Sequence, residues 1–151
     1  MIPDDCAKRI EELRALIEGE AGLVGVLANL SSALHEILSP LWTGFYLVQG
    51  GELVLGPFQG PVACYRIKRG RGVCGTAWDE DRTIIVPDVE KFPGHIACSS
   101  LSRSEIVVPI HGKGGDVVGV IDIDDKRTDR FDMADARLLE DVAEMLKPFF
   151  D

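Results

Sequence analysis

Apolar residues near the start of the chain recur at helical spacing. Ile10, Leu13 and Ile17 form one stripe, with Pro3, Asp4 and Asp5 where a helix starts and Gly19 and Gly22 where it stops, predicting a helix over about residues 4–18. Leu23, Val26, Leu27, Leu30, Leu34, Ile37 and Leu38 repeat the period and Pro40 ends it, so a second amphipathic helix over about 21–38 covers one face of a sheet. The pattern then changes to short β-prone runs. Residues 41–48 and 52–55 read as strands joined by Gln49, Gly50 and Gly51, a hairpin signal. Further strands are predicted at 63–67, 83–86, 105–110 and 117–124, the last two closed by Gly-Lys-Gly-Gly, with a short helix around 73–79. Asp132 and Asp135 cap a final helix whose buried stripe is Leu138, Leu139, Val142, Leu146 and Phe149. Helices at both ends therefore flank a largely antiparallel sheet, and the irregular stretch 87–104 reads as a functional loop.

Length and charge narrow the classes. The 151 residues suit one domain over 1–151, with a helical extension over 1–20 and a core over 21–151. No apolar run approaches the roughly 18–20 residues that cross a bilayer, and acidic Asp4 and Asp5 stand where a secretory signal is basic, so a cytoplasmic protein without membrane association is expected. A net charge of −9 opposes binding to a phosphate backbone, and Lys68, Arg69 and Arg71 are read as a solvated turn around Gly70 rather than a nucleic-acid site. A small cationic or zwitterionic ligand suits that charge better.

The candidate chemistry lies in thiols and acids. Four cysteines, Cys6, Cys64, Cys74 and Cys98, in a chain expected to be cytoplasmic argue against a structural disulfide framework. Their spacing leaves redox chemistry, buried structural thiols and metal ligation open; a metal could recruit His95, but no C-x-x-C pair supports zinc. Val118, Val120, Asp122 and Asp124 alternate onto one strand face opposite Ile121 and Ile123, and the hairpin turn at 112–115 brings Glu105 back beside those acids. Clustered carboxylates repel one another, so one keeps a proton near neutral pH and can act as an acid while ionised neighbours bind an ammonium group. The plain alternative is a solvated strand end. Trp42, Gly44 and Tyr46 share a strand face and leave an aromatic-walled gap for a methyl-thioether or a cation, or else form ordinary core.

In order, Trp-Thr-Gly-Phe-Tyr-Leu, Gly-Pro-Val-Ala-Cys, Gly-Arg-Gly-Val-Cys-Gly, Val-Pro-Asp-Val, Phe-Pro-Gly-His-Ile-Ala-Cys, Ser-Glu-Ile-Val-Val-Pro-Ile and Gly-Val-Ile-Asp-Ile-Asp resemble the free methionine-(R)-sulfoxide reductase family over roughly residues 23–146. The resemblance implies an α+β GAF fold, with a central six-stranded antiparallel sheet between N- and C-terminal helices, and commonly a homodimer. It implies an oxidoreductase of oxidative-stress defence that reduces free L-methionine (R)-S-oxide through a cysteine sulfenic acid and a redox-active disulfide. By the same correspondence Cys98 attacks, Cys64 resolves, Cys74 is a third redox-competent thiol, and Glu105 joins them in catalysis. Glu105, Asp122 and Asp124 contact the substrate, and Trp42 and Tyr46 shape the pocket for its methylsulfinyl end. No metal or organic cofactor is expected, thioredoxin is the implied reductant, and Cys6 has no assigned role. Ser99 replaces an expected acid and Arg103 an expected small polar residue. A non-catalytic GAF sensor for a small ligand is the alternative from the fold alone, and a cysteine-rich metal-binding module is a third reading.

Overall fold

The computed structural model describes residues 3–95 and 100–150. Helix α1 (Pro3–Ile17) leads into α2 (Leu23–Leu38), which ends where Ser39 turns left-handed and donates its N–H to the His35 carbonyl just before Pro40. Strands β1 (Trp42–Gln49) and β2 (Glu52–Gln59) follow, joined by Gly50 and Gly51, both at positive φ, the pair of left-handed residues a tight hairpin turn of primed type requires. Then come β3 (Arg66–Lys68), α3 (Gly72–Glu80), β4 (Ile84–Val86), β5 (Ser104–His111), β6 (Val117–Asp125) and α4 (Met133–Leu146). Asp132 caps α4 by accepting from the Asp135 N–H while Asp135 accepts from the Asp132 N–H, a reciprocal capping box.

The strands form one six-stranded sheet in the order β3-β2-β1-β6-β5-β4, with every neighbouring pair antiparallel. Helices α1, α2 and α4 cover one face, where Leu13, Leu27, Leu30, Leu138 and Val142 pack against Phe45, Ile106, Ile121 and Ile123. Helix α3 covers the other, where Val73, Ala77 and Trp78 meet Trp42, Tyr46, Val107 and Val120. Leu13 and Ile17 bind α1 into the same core as the other two helices. Among the described residues, no helix is long and apolar enough to cross a membrane.

Several expected boundaries move, each for a local reason. Strand β2 continues past the expected end at 55 to Gln59: the register shifts between Gly44 and Tyr46, and the bulge accommodates Pro57, which cannot donate to the ladder. The expected strand at 63–67 shrinks to Arg66–Lys68, because Pro61 to Tyr65 run as a loop tied back by the Leu55 N–H on the Tyr65 carbonyl. Val118 was expected on the acidic face. A register shift between Ile110 and His111 turns it instead towards the core shared by α1, α2 and α4. Helix α4 stops at Leu146 and passes into a short 3-10 turn containing Pro148, so Phe149 is only half-buried and Phe150 fills the core position instead.

Two substitutions test this packing. A methyl at Gly44 would lie 2.4 Å from Phe58 Cβ and 2.5 Å from Trp42 Cη2, so Gly44→Ala should cost about 1–3 kcal/mol in a urea titration by overpacking. Full stability in that variant would contradict the seating of Trp42 on β1. Asp132→Ala removes one half of the α4 capping box and should cost about 1 kcal/mol by the same measurement.

Candidate active site

Strand register builds the floor of a cavity. Pairing sets Trp42 of β1 beside Asp124 of β6, and Asp124 beside Glu105 of β5, so three side chains stand in one row across the sheet. The next row holds Gly44, Asp122 and Val107. Because side chains alternate along a strand, Asp122 and Asp124 face the α3 side while Ile121 and Ile123 enter the opposite core. The cavity over these rows holds about 600 Å³ of empty space, the open solvent at its mouth included.

Its polar wall is a cluster of acids. Glu105 and Asp122 are only 5% and 6% exposed, and Asp124 accepts a hydrogen bond from the Ser102 hydroxyl at 3.2 Å. Burial first, then the charges of Asp122 and Asp124, push the Glu105 carboxyl well above the usual carboxylate range. Asp124 is raised in the same way by burial and by Asp122. Burial also raises Asp122, but less, because Glu105, Cys74 and Asp124 can donate hydrogen bonds to its ionised form. Like charges so close cannot all ionise, so the cluster as a whole keeps protons that isolated carboxyls would lose. One oxygen of Asp122, Oδ1, is buried without a hydrogen-bond partner among the described residues, an arrangement that favours a donor arriving with a ligand.

The other walls come from α3, two aromatics and a loop. Cys74 on the first turn of α3 is a buried free thiol whose Sγ lies 3.9 Å from Glu105 Oε2. Burial, followed by the negative charges of Asp122 and Glu105, pushes its pKa up and keeps it protonated. Trp42 and Tyr46 both line the cavity and stack with ring centroids 6.0 Å apart. The expected gap over Gly44 is closed, since the Trp42 ring folds over that residue and stacks on Phe58 at 5.2 Å; the open space lies beyond the rings. Each ring also fixes a loop: Trp42 Nε1 donates to the Pro61 carbonyl at 3.0 Å and the Tyr46 hydroxyl donates to the Cys64 carbonyl at 2.9 Å. Cys64, which is disulfide-bonded rather than a free thiol, is thus carried on a segment whose residues Pro61, Val62 and Ala63 line the cavity.

The sequence-derived residues Trp42, Tyr46, Cys74, Glu105, Asp122 and Asp124 all line this one space, and Cys64 adjoins it. Cys98 and Ser99 fall outside the described residues, though His95 and Ser102, on either side of them in sequence, both line the cavity. His95 Nε2 stands 3.8 Å from Glu105 Oε1, and burial holds its imidazole below the ordinary pKa against the pull of Asp122. Cys74, Glu105 and Asp122 offer ligand atoms within 4.8 Å of one another, so these three could hold a metal ion. Cys6 lies apart, its thiol directed at the Ala134 carbonyl. Sequence reasoning missed Ser102 and Phe58, since nothing in an isolated serine or phenylalanine marks it as a neighbour of Asp124 or Trp42. Arg71, read as part of a solvated turn, is exposed as expected and also borders the cavity.

Residues 6–147 match the GAF domain family. A Dictyostelium discoideum protein named GAF domain-containing protein A is 52% identical over 91% of this chain and 87% of its own length. The free methionine-R-sulfoxide reductase of Saccharomyces cerevisiae is 47% identical over 87% of this chain and 77% of the yeast protein. The X-ray structure of free methionine-R-sulfoxide reductase from Neisseria meningitidis, in complex with its substrate, superposes with a TM-score of 0.92 at 44% identity, covering 99% of this chain and 92% of that one. The chain belongs to the GAF domain family and, within it, to the free methionine-R-sulfoxide reductase family.

Proposed function

We propose that this protein reduces free L-methionine (R)-S-oxide to L-methionine by thiol-dependent oxygen transfer. The observation that carries the assignment is the cluster of Glu105, Asp122 and Asp124, buried beside the aromatic faces of Trp42 and Tyr46, in a family whose named members perform this reduction. A carboxyl that keeps its proton can protonate a leaving oxygen, and an ionised neighbour can hold an ammonium group. Glu105 is given the first role because burial and the charges of two neighbouring acids hold its carboxyl well above the usual carboxylate range. Asp122, raised least and with an oxygen free to accept, is given the second.

The Cys98 thiolate attacks the sulfoxide sulfur, and Glu105 gives a proton to the oxygen as it moves to Cys98. The substrate gains two electrons and leaves as methionine, while Cys98 becomes a sulfenic acid. The Cys64 thiol then attacks that sulfenic sulfur, forming a disulfide and releasing water. An external dithiol, read from the resemblance as thioredoxin acting on a homodimer, returns both cysteines to thiols by exchange and becomes a disulfide itself. Cys64 suits the resolving role because it sits on an irregular, partly exposed loop held at the cavity by Tyr46. Cys74, sealed in and kept protonated, suits it less. The sulfur atoms carry all the electrons, so the cycle requires no metal or organic cofactor.

With dithiothreitol as reductant and separate R and S isomers of free and N-acetylated methionine sulfoxide, only the free R isomer should turn over well. Cys98→Ser should abolish multiple turnover, and mass spectrometry after one turnover should find Cys64 joined to Cys98. A Cys74 to Cys98 linkage would reassign the resolving thiol, and stabilisation by ligand without product would mark a sensor instead.

Glu105→Gln separates activity from stability. It should lower kcat/KM by roughly 10²–10⁴-fold and remove the fall in activity as pH rises through the raised pKa of the acid cluster. Because burial raises that pKa in the folded state, the wild-type protein is favoured below the ordinary carboxylate pKa and loses stability as pH rises through the elevated one. Urea titrations should therefore show a smaller loss between acidic and alkaline pH in Glu105→Gln than in the wild type. An equal or larger loss would contradict the burial of that charge.

A further inference from the structure

One wall of the cavity sets a thiol and an imidazole beside two carboxylates, and each group comes from a different element. Cys74 stands on the first turn of α3, Glu105 on β5, Asp122 on β6 and His95 on the stretch before β5. Sheet register and the packing of α3 fix Cys74, Glu105 and Asp122 before any ligand arrives. Cys74 Sγ lies 3.9 Å from Glu105 Oε2, and Cys74, Glu105 and Asp122 each offer a donor atom within 4.8 Å of the others. Donors on one tetrahedral zinc stand about 3.3–3.7 Å apart, so the three need draw together by only about 1 Å. His95 Nε2, 3.8 Å from Glu105 Oε1, stands beside them for the fourth position.

A second observation, independent of that spacing, points to a cation. Asp122 lines the cavity and is only 6% exposed, yet its Oδ1 has no hydrogen-bond partner among the described residues. Nor does any lysine or arginine form an ion pair with Glu105, Asp122 or Asp124 among the described residues. The donor types then select the ion. Magnesium and calcium take about six or more oxygens, whereas a thiolate, an imidazole and two carboxylates suit zinc.

We infer that Cys74, Glu105, Asp122 and His95 form a binding site for zinc, and that the bound ion shuts the cavity to its substrate. Binding releases the thiol proton to solvent and forms a sulfur–zinc bond, with no change of oxidation state. The ion occupies Glu105 and Asp122, the groups assigned above to the transferred proton and to the ammonium, so zinc and substrate exclude each other. The inhibition rests on the reaction proposed above; the metal site itself does not.

The double variant Cys64→Ala/Cys98→Ala leaves Cys6 and Cys74 as the only thiols and serves for the binding measurements. Titration calorimetry should find one zinc bound per chain, with magnesium and calcium far weaker. Cobalt(II) in place of zinc should show a sulfur-to-metal charge-transfer band and the strong visible absorption of a tetrahedral site. Adding Cys6→Ala should leave both signals. Adding Cys74→Ser instead should abolish the charge-transfer band and weaken zinc by more than roughly a hundredfold, since losing even a group that only hydrogen-bonds a ligand costs roughly 10–100-fold. The nearly isosteric Asp122→Asn should weaken zinc as well, with circular dichroism showing that each variant is folded. No bound zinc, magnesium bound as tightly, or stoichiometric zinc that survives both Cys74→Ser and Asp122→Asn would overturn the site. In reduced wild type, one equivalent of zinc should block a single turnover of L-methionine (R)-S-oxide and a chelator should restore it, whereas Cys74→Ser should lose most of that sensitivity. Equal sensitivity in Cys74→Ser would overturn inhibition through this site. If wild type produced no methionine at all, the proposed reaction would fall, and the binding measurements would still decide the metal site.

Discussion

The alternation of side chains along β6, locked by its pairing with β1 and β5, is the constraint from which the rest of the molecule follows. Ile121 and Ile123 must enter the core under α1, α2 and α4, and that requirement turns Asp122 and Asp124 onto the opposite face. A slip of one residue would drive both acids into hydrocarbon and expose both isoleucines. The same register places Glu105 and Trp42 on either side of Asp124. An ordinary apolar core on one face thus holds a costly polar cluster in position on the other.

That cluster works because it is uncomfortable. Burying carboxylates without a cation among them raises their pKa values, and each ionised neighbour raises them further. The folded protein gives up stability at higher pH to keep a proton where an acid is wanted, a tension common to sites tuned for acid chemistry. A ligand bearing an ammonium group relieves it by supplying the missing positive charge and a donor for Asp122 Oδ1.

Trp42 and Tyr46 connect that static floor to thiol chemistry. Their rings wall the cavity while their polar tips hold the backbone of the loop that carries Cys64. Large aromatic residues with one wet end serve both purposes without leaving an unsatisfied donor. In the proposed cycle Cys64 must reach a sulfenic acid promptly, and a loop tied to the cavity wall shortens that search.

Much of this was written in the local pattern. The helical stripe of 23–38, the turn at Gly50 and Gly51, the capping pair Asp132 and Asp135, and the alternation of Asp122 and Asp124 against Ile121 and Ile123 each depend on short-range spacing, which a sequence displays directly. The grouping of Glu105 with those acids was legible too, because a hairpin fixes which ends meet. Other features depend on partners distant in sequence. Bulges extended β2 beyond Gly56 and Pro57 and turned Val118 to the other face. The Trp42 ring, rather than open space, covered Gly44, and Ser102 met Asp124 across an irregular stretch. Arg71 lies in the solvated basic turn that the sequence indicates, and only the seating of α3 against the sheet brings it to the cavity as well. Periodicity determines which face a residue takes within its own element; only the packing of elements determines what that face meets.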